Sequence, residues 1–303
     1  EPMAEAPTPT PDVTFNFNTS VMALPIEHQD GVFVGYSAPS YSNGSVTVVA
    51  ESTGALVTAD VAGEPTSFVF TKNYVGVSRD PIGGAHRFTI STGRNASDNT
   101  YIQAAGPVDF DYQVFGSWAQ DTKGIGTEIT KLNSFSAGER TPFSNIPTQG
   151  VSNYRVMFEG AFVGNYVPPN GNEIYPTKAS ATVEVDFWNK RVDLSTSNTG
   201  ILFEGAYRNV AIIEKNGVYS PFLSSSLDIS RIMGGYTDSN YFTLDASDGV
   251  SLEWSSLYRG GAYGSFYGPN AEEVGGNLYL MGDSGSAYEK STYVGAFGAR
   301  RVP

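Results

Sequence analysis

Cysteine is absent from this 303-residue chain, which excludes a disulfide framework, a thiolate metal site and a cysteine nucleophile. Histidine occurs twice, as His28 and His86. Charged residues make up only 16% of the chain, and acidic ones outnumber basic ones, 31 to 18, for a net charge of -13. That balance disfavours nucleic acid and anionic membrane surfaces, both of which need clustered Lys and Arg, and leaves a basic protein or a neutral ligand as partner. No stretch reaches the roughly 18 to 20 apolar residues of a membrane-spanning helix. The opening "EPMAEAPTPTPDV" has neither a basic start nor an apolar signal core, as expected for a mature or trimmed secreted chain.

What is present is 34 glycines, 18 tyrosines and 18 phenylalanines. This composition suits many short strands joined by tight turns. The Pro/Thr/Ala/Glu bias of residues 1–13 cannot bury apolar area and reads as an extended tether or a frayed terminus. Beyond it, alternation with period 2 dominates. In "ATVEVDFWNKRVDLS", Ala181, Val183, Val185 and Phe187 share one face and Thr182, Glu184 and Asp186 the other, with Asn189-Lys190 as a two-residue hairpin turn. Asn216-Gly217 marks a second hairpin, since that pair tolerates the positive φ angles of a type I′ turn. Further strands are expected at residues 154–163, 251–258, 261–267, 276–281 and 293–300. Six to eight strands in about 150 residues are most economically closed into an antiparallel barrel, because closure removes exposed edges. The first half is also β-rich but less regular. Pro142, Pro147 and Gly150 interrupt sheet ladders, so the domain boundary is placed near Gly150. The expected organisation is a tether (1–13), a sheet domain (14–150) and a barrel (151–303), an all-β chain.

Four candidate sites stand out. The adjacent carboxylates of Glu272 and Glu273 lie in "FYGPNAEEVGG". Neighbouring residues on a strand face opposite ways, so they are a poor acid/base pair and read as a structural corner where a glutamate satisfies buried backbone donors. "GDSGSA" (282–287) resembles the nucleophile loop of trypsin-like proteases, with His86 and Asp109 or Asp111 preceding Ser284 in the order of that triad. Too little chain follows Ser284 to complete such a protease, and the segment reads instead as a hairpin loop. His86, after Gly83-Gly84, and His28 have the chemistry of a haem-iron ligand, or equally of a loop histidine bonded to backbone or water. Tyr36 and Tyr41 in "VGYSAPSYSNGS" mix aromatic anchors with small adaptable residues, as binding loops do and as strand ends in aromatic-rich barrels also do. The similar "LYRGGAYGSFYG" (257–268) reads as structure. The acid-containing runs "SSSLDISR" (224–231) and "TDSNYFTLDASDG" (237–249) lack the spacing of a calcium loop and read as solvated turns.

At the boundary the sequence resembles a family. "VFGSWA" followed by "SAGERTPFSNIPTQGVSNYRVMFEGAFVG", then "VEVDFWNKRVDL", "FYGPNAEEVGG" and the closing "YVGAFGARR" are similar, in order, to the motifs of the transferrin-binding protein B-like surface lipoproteins. The resemblance covers residues 112–301. It implies an N-terminal handle-like β-sheet domain followed by a C-terminal eight-stranded antiparallel β-barrel filled by side chains. It further implies a non-enzymatic protein anchored by a lipidated cysteine, here missing, on the outer membrane surface of a Gram-negative cell. Such a protein captures an iron source, haem or a haem- or iron-carrying protein, for an outer-membrane transporter. Haem-binding members use the handle, which points to His86 and His28; Tyr36 and Tyr41, in the same half, are ligand-binding candidates by their loop composition. The alternative is a surface adhesion or host-factor-binding lipoprotein without nutrient cargo.

Overall fold

The computed structural model describes residues 13–29, 32–51, 54–61, 64–71, 78–82, 88–95, 100–105, 110–121, 129–147, 154–169, 174–201, 222–223, 227–237, 239–246, 250–252 and 256–303. Ten strands build an N-terminal sheet: β1 (Val13–Gln29), β2 (Val32–Tyr36), β3 (Ser40–Glu51), β4 (Gly54–Val61), β5 (Glu64–Thr71), β6 (Ser78–Ile82), β7 (Phe88–Asn95), β8 (Thr100–Ala105), β9 (Gln113–Asp121) and β10 (Ile129–Gly138). Their order is β5-β4-β3-β1-β10-β9-β8-β7-β6, with β2 paired to β1 off this path. The connection that follows, which has a 3-10 turn at Phe143–Asn145, leads into a second antiparallel sheet.

That sheet comprises β11 (Arg155–Val167), β12 (Tyr175–Asp186), β13 (Arg191–Ile201), β14 (Phe222–Leu223), β15 (Ile232–Gly235), β16 (Tyr241–Asp245), β17 (Val250–Leu252), β18 (Ser256–Tyr267), β19 (Glu273–Gly282) and β20 (Thr292–Arg301). The path β12-β11-β20-β19-β18-β16-β15-β13 returns on itself through a β12–β13 pairing, giving a closed barrel of eight antiparallel strands. The alternation read from the sequence holds: Ala181, Val183, Val185 and Phe187 are buried. The hairpin differs in detail. The turn after β12 spans four residues, 187–190, between the paired Asp186 and Arg191. The Asp186 carboxylate fixes it by accepting the N–H groups of Trp188 (3.1 Å) and Asn189 (2.9 Å) and the Asn189 side-chain amide (2.8 Å). Residues 251–258 and 261–267 also do not form two successive strands. The ladder to β19 runs unbroken from Tyr258 to Tyr267 across Gly260-Gly261, and residues 250–252 form the separate β17. The Asn216-Gly217 hairpin lies outside the described residues.

The barrel interior is packed with side chains. Phe162, Phe242, Phe266 and Phe297 are fully buried in one apolar cluster. Phe162 meets Tyr293 edge-on at 5.1 Å, and the Tyr293 hydroxyl shares a 2.7 Å hydrogen bond with Thr177 Oγ1. Burying each such ring stabilises the fold by roughly 1.5–3 kcal/mol, and the hydroxyl partner removes the penalty for a buried polar group.

The N-terminal sheet lies against the outside of this barrel. Met22, Leu24 and Ile26 of β1, with Ala119 and Leu132, cover Val167 and Val294. Phe110 and Phe115 cover Ala161, Val163 and Ala296. One wall of the barrel is therefore buried on both faces, which explains why residues 292–299 are buried without alternation.

Candidate binding site

The joint between the two sheets is built from glycines and buried polar groups. Gln113, at the start of β9, reaches the barrel backbone through Nε2, which donates to the carbonyls of Val274 (3.2 Å) and Ala299 (3.3 Å). A Cβ on Gly275 would collide with Gln113 Oε1, and one on Gly298 would lie 2.5 Å from Phe115 Cδ1. These two glycines admit the β9 side chains onto the barrel wall. Asn165 Nδ2 donates to Ser117 Oγ at 2.8 Å, and Ser136 Oγ meets the Tyr267 hydroxyl at 2.9 Å. The connection between the domains laces the β18–β19 turn: the Thr141 N–H donates to the Phe266 carbonyl, Thr141 Oγ1 to that of Gly268 and Asn145 Nδ2 to that of Pro269.

Glu272 and Glu273 belong to this joint and are not a carboxylate pair. Glu272 accepts the N–H and the side-chain amide of Asn270 inside its own turn. Glu273 turns the other way, is buried, and accepts the N–H groups of Asp111 (2.7 Å) and Tyr112 (3.3 Å) from the segment leading into β9. The corner thus holds the other domain, a partner that the local sequence does not reveal.

Where the joint reaches the surface, the two tyrosine-rich segments meet. Tyr41 of β3 is 49% exposed, and its ring centroid lies 6.3 Å from that of Tyr263 on β18. Tyr263 lies 5.6 Å from Tyr241 on β16. The Arg140 guanidinium sits 4.6 Å from the Tyr241 ring centroid and donates to its hydroxyl, a cation–π geometry. Tyr36 is half-buried: its hydroxyl donates to the Lys290 carbonyl at 2.6 Å, and it packs, as Tyr279 and Met281 do, against the cluster of Met22, Leu24 and Ile26 with Val167 and Val294. Partial burial, then the neighbouring Tyr279 and Tyr263, push the Tyr41 hydroxyl up to about 12; burial likewise raises Tyr36 and Tyr263. All three are neutral hydrogen-bonding groups at physiological pH. The result is an aromatic seam of hydroxyls, ring faces and one guanidinium, fit for a protein surface or a flat ligand. Tyr263, Tyr241 and Arg140 were not singled out by sequence. The signal was the Tyr-Gly-rich run 257–268, whose strand character hid the fact that Tyr263 faces outward.

His28 lies on β1 at a register shift between Glu27 and His28; its side chain and all of His86 lie outside the described residues, as does Asp109. Ser284 sits in an exposed turn, where Oγ meets Glu289 Oε1 at 3.4 Å and Asp283 Oδ1 accepts both the Ser284 N–H and Arg259 Nε. This is a turn held by its own side chains. Among the described residues no cluster of metal-ligating side chains occurs.

The family model described as the C-lobe and N-lobe β-barrels of Tf-binding protein B matches residues 146–301. No curated protein matches. Similar crystal structures include a tryptophan-to-alanine mutant of transferrin-binding protein B from Haemophilus parasuis, at 14% identity over 97% of this chain and 77% of that one, TM-score 0.42. Another is isotype 1 of transferrin-binding protein B from serogroup B Neisseria meningitidis, at 12% identity over 96% and 77%, TM-score 0.43.

Proposed function

The chain belongs to the family of the transferrin-binding protein B β-barrels, and from that premise we propose that it is a non-enzymatic binding protein displayed on the outer surface of a Gram-negative cell. Its cargo is an iron source, haem or a haem- or iron-carrying protein, which it passes to an outer-membrane transporter. The observation that carries this reading is the aromatic seam: tyrosines from the handle and from the barrel converge on one surface beside a tightly bonded joint. A rigid platform bearing Tyr and Arg binds at low cost in side-chain ordering, because little freedom is left to lose. The packed barrel interior directs binding to the outside of the molecule.

The seam and the two histidines are tested separately. Iron-loaded transferrin is passed over the immobilised chain, and haem is titrated into it while the Soret band is followed. Under this proposal at least one probe binds saturably. Tyr41→Ala weakens a protein probe about tenfold or more, as the loss of a central aromatic anchor does. His86→Ala or His28→Ala abolishes a haem shift if an imidazole is the ligand. Binding of neither probe by a folded chain refutes the iron-source reading and leaves the adhesion or host-factor alternative.

A further inference from the structure

Glu273 is only 2% exposed, yet the hydrogen bonds its carboxyl accepts among the described residues come from neutral donors, the Asp111 and Tyr112 N–H groups, with the neutral Gln113 side chain beside it. The same Gln113 amide uses both hydrogen bonds of its nitrogen on barrel carbonyls, while its buried Oε1 has no donor. A buried carboxyl bonded only to neutral groups lies beside a buried acceptor lacking a proton, and a neutral acid supplies what both need. The two N–H groups favour the anion, while burial and the nearby Asp111 disfavour it. Asp111 and Tyr112 face Glu273 from the handle and Tyr267 from the end of β18. Glu139 and Arg140 follow β10, Glu272 precedes Glu273 in the chain, and Arg300 lies opposite on β20.

We propose that docking of the handle on the barrel is coupled to proton uptake by Glu273, whose carboxyl donates to Gln113 Oε1 in the docked state. Burial pushes this carboxyl from 4.5 up to about 7, against the lowering effect of the Asp111 and Tyr112 N–H groups and of Gln113. The folded pKa is raised, so the stabilisation by the proton is complete below the value of the free group and is lost as pH rises through about 7. The joint therefore opens more readily in alkaline than in mildly acidic surroundings. For these two pKa values the opening equilibrium increases about tenfold between pH 6 and pH 8.

Hydrogen exchange of the backbone of residues 110–115, followed by mass spectrometry on the full chain and corrected for intrinsic rate, reads that equilibrium. The expected result is a protection factor about tenfold lower at pH 8 than at pH 6, a flat profile in Glu273→Gln, and an unaltered slope in Glu272→Gln. A flat wild-type profile overturns the proposal whether or not the variants fold. So does a Glu273→Gln profile that keeps the wild-type slope, which would assign the titration to another group.

Discussion

Replacing Gly298 by alanine tests the joint most directly. The added Cβ would lie 2.5 Å from Phe115 Cδ1 and 2.8 Å from Gln113 Oε1, so the ring must retreat by about 1 Å to regain ordinary contact. Phe115 cannot move freely, because β9 is held between β8 and β10 and its ring packs on Phe110 at a centroid separation of 5.4 Å. Overpacking of this kind costs about 1–3 kcal/mol, and displacement of Gln113 would also strain its two bonds to the Val274 and Ala299 carbonyls. Urea unfolding followed by tryptophan fluorescence should show an earlier transition, because Trp118 lies in β9 itself. Adding Phe115→Leu, which shortens the offending side chain, should recover part of the loss. An unchanged unfolding midpoint in Gly298→Ala, or no recovery in the double variant, would refute the claim that this glycine exists to admit the handle.

Thr177→Val keeps the shape of the side chain but leaves the buried Tyr293 hydroxyl without its 2.7 Å partner, and should cost about 1–3 kcal/mol in urea unfolding. Asp186→Ala removes the acceptor of three donors in the β12–β13 turn and should lower the melting temperature at neutral pH. Hydrogen bonds from Asn189 hold the Asp186 carboxyl below its usual value of 3.8. Its contribution is therefore present above 3.8 and lost as pH falls through the depressed value, so the gap between wild type and variant should narrow only in strong acid.

The barrel was legible in the sequence because its signal is local. Period-2 alternation around Val183 and Val185, punctuated by turn residues, fixes both the strand and the face it buries. The segment around Gly260-Gly261 misled because glycine pairs mark breaks in most strands, whereas here the ladder to β19 runs through them. The joint was much less legible. Gln113 bonds Ala299 across 186 positions of chain, and no periodicity in either segment encodes the other. Glu273 was recognisable as a corner residue from its glycines and from the opposite facing of its neighbour, yet its donors come from residues 111 and 112. The aromatic seam was half visible. Tyr36 and Tyr41 stood out by composition, while Tyr263 was hidden in a run whose strand character was equally genuine.

The wall formed by Ala161, Val163, Val294 and Ala296 bears on how the molecule can be divided. Cutting between β10 and β11 would leave a barrel whose strand ladder still closes yet which carries an apolar, small-residue face. Such a face is a ready site for self-association. Excised alone, this barrel should precipitate or pair with itself, so a fragment meant to stay dispersed needs both sheets in one polypeptide.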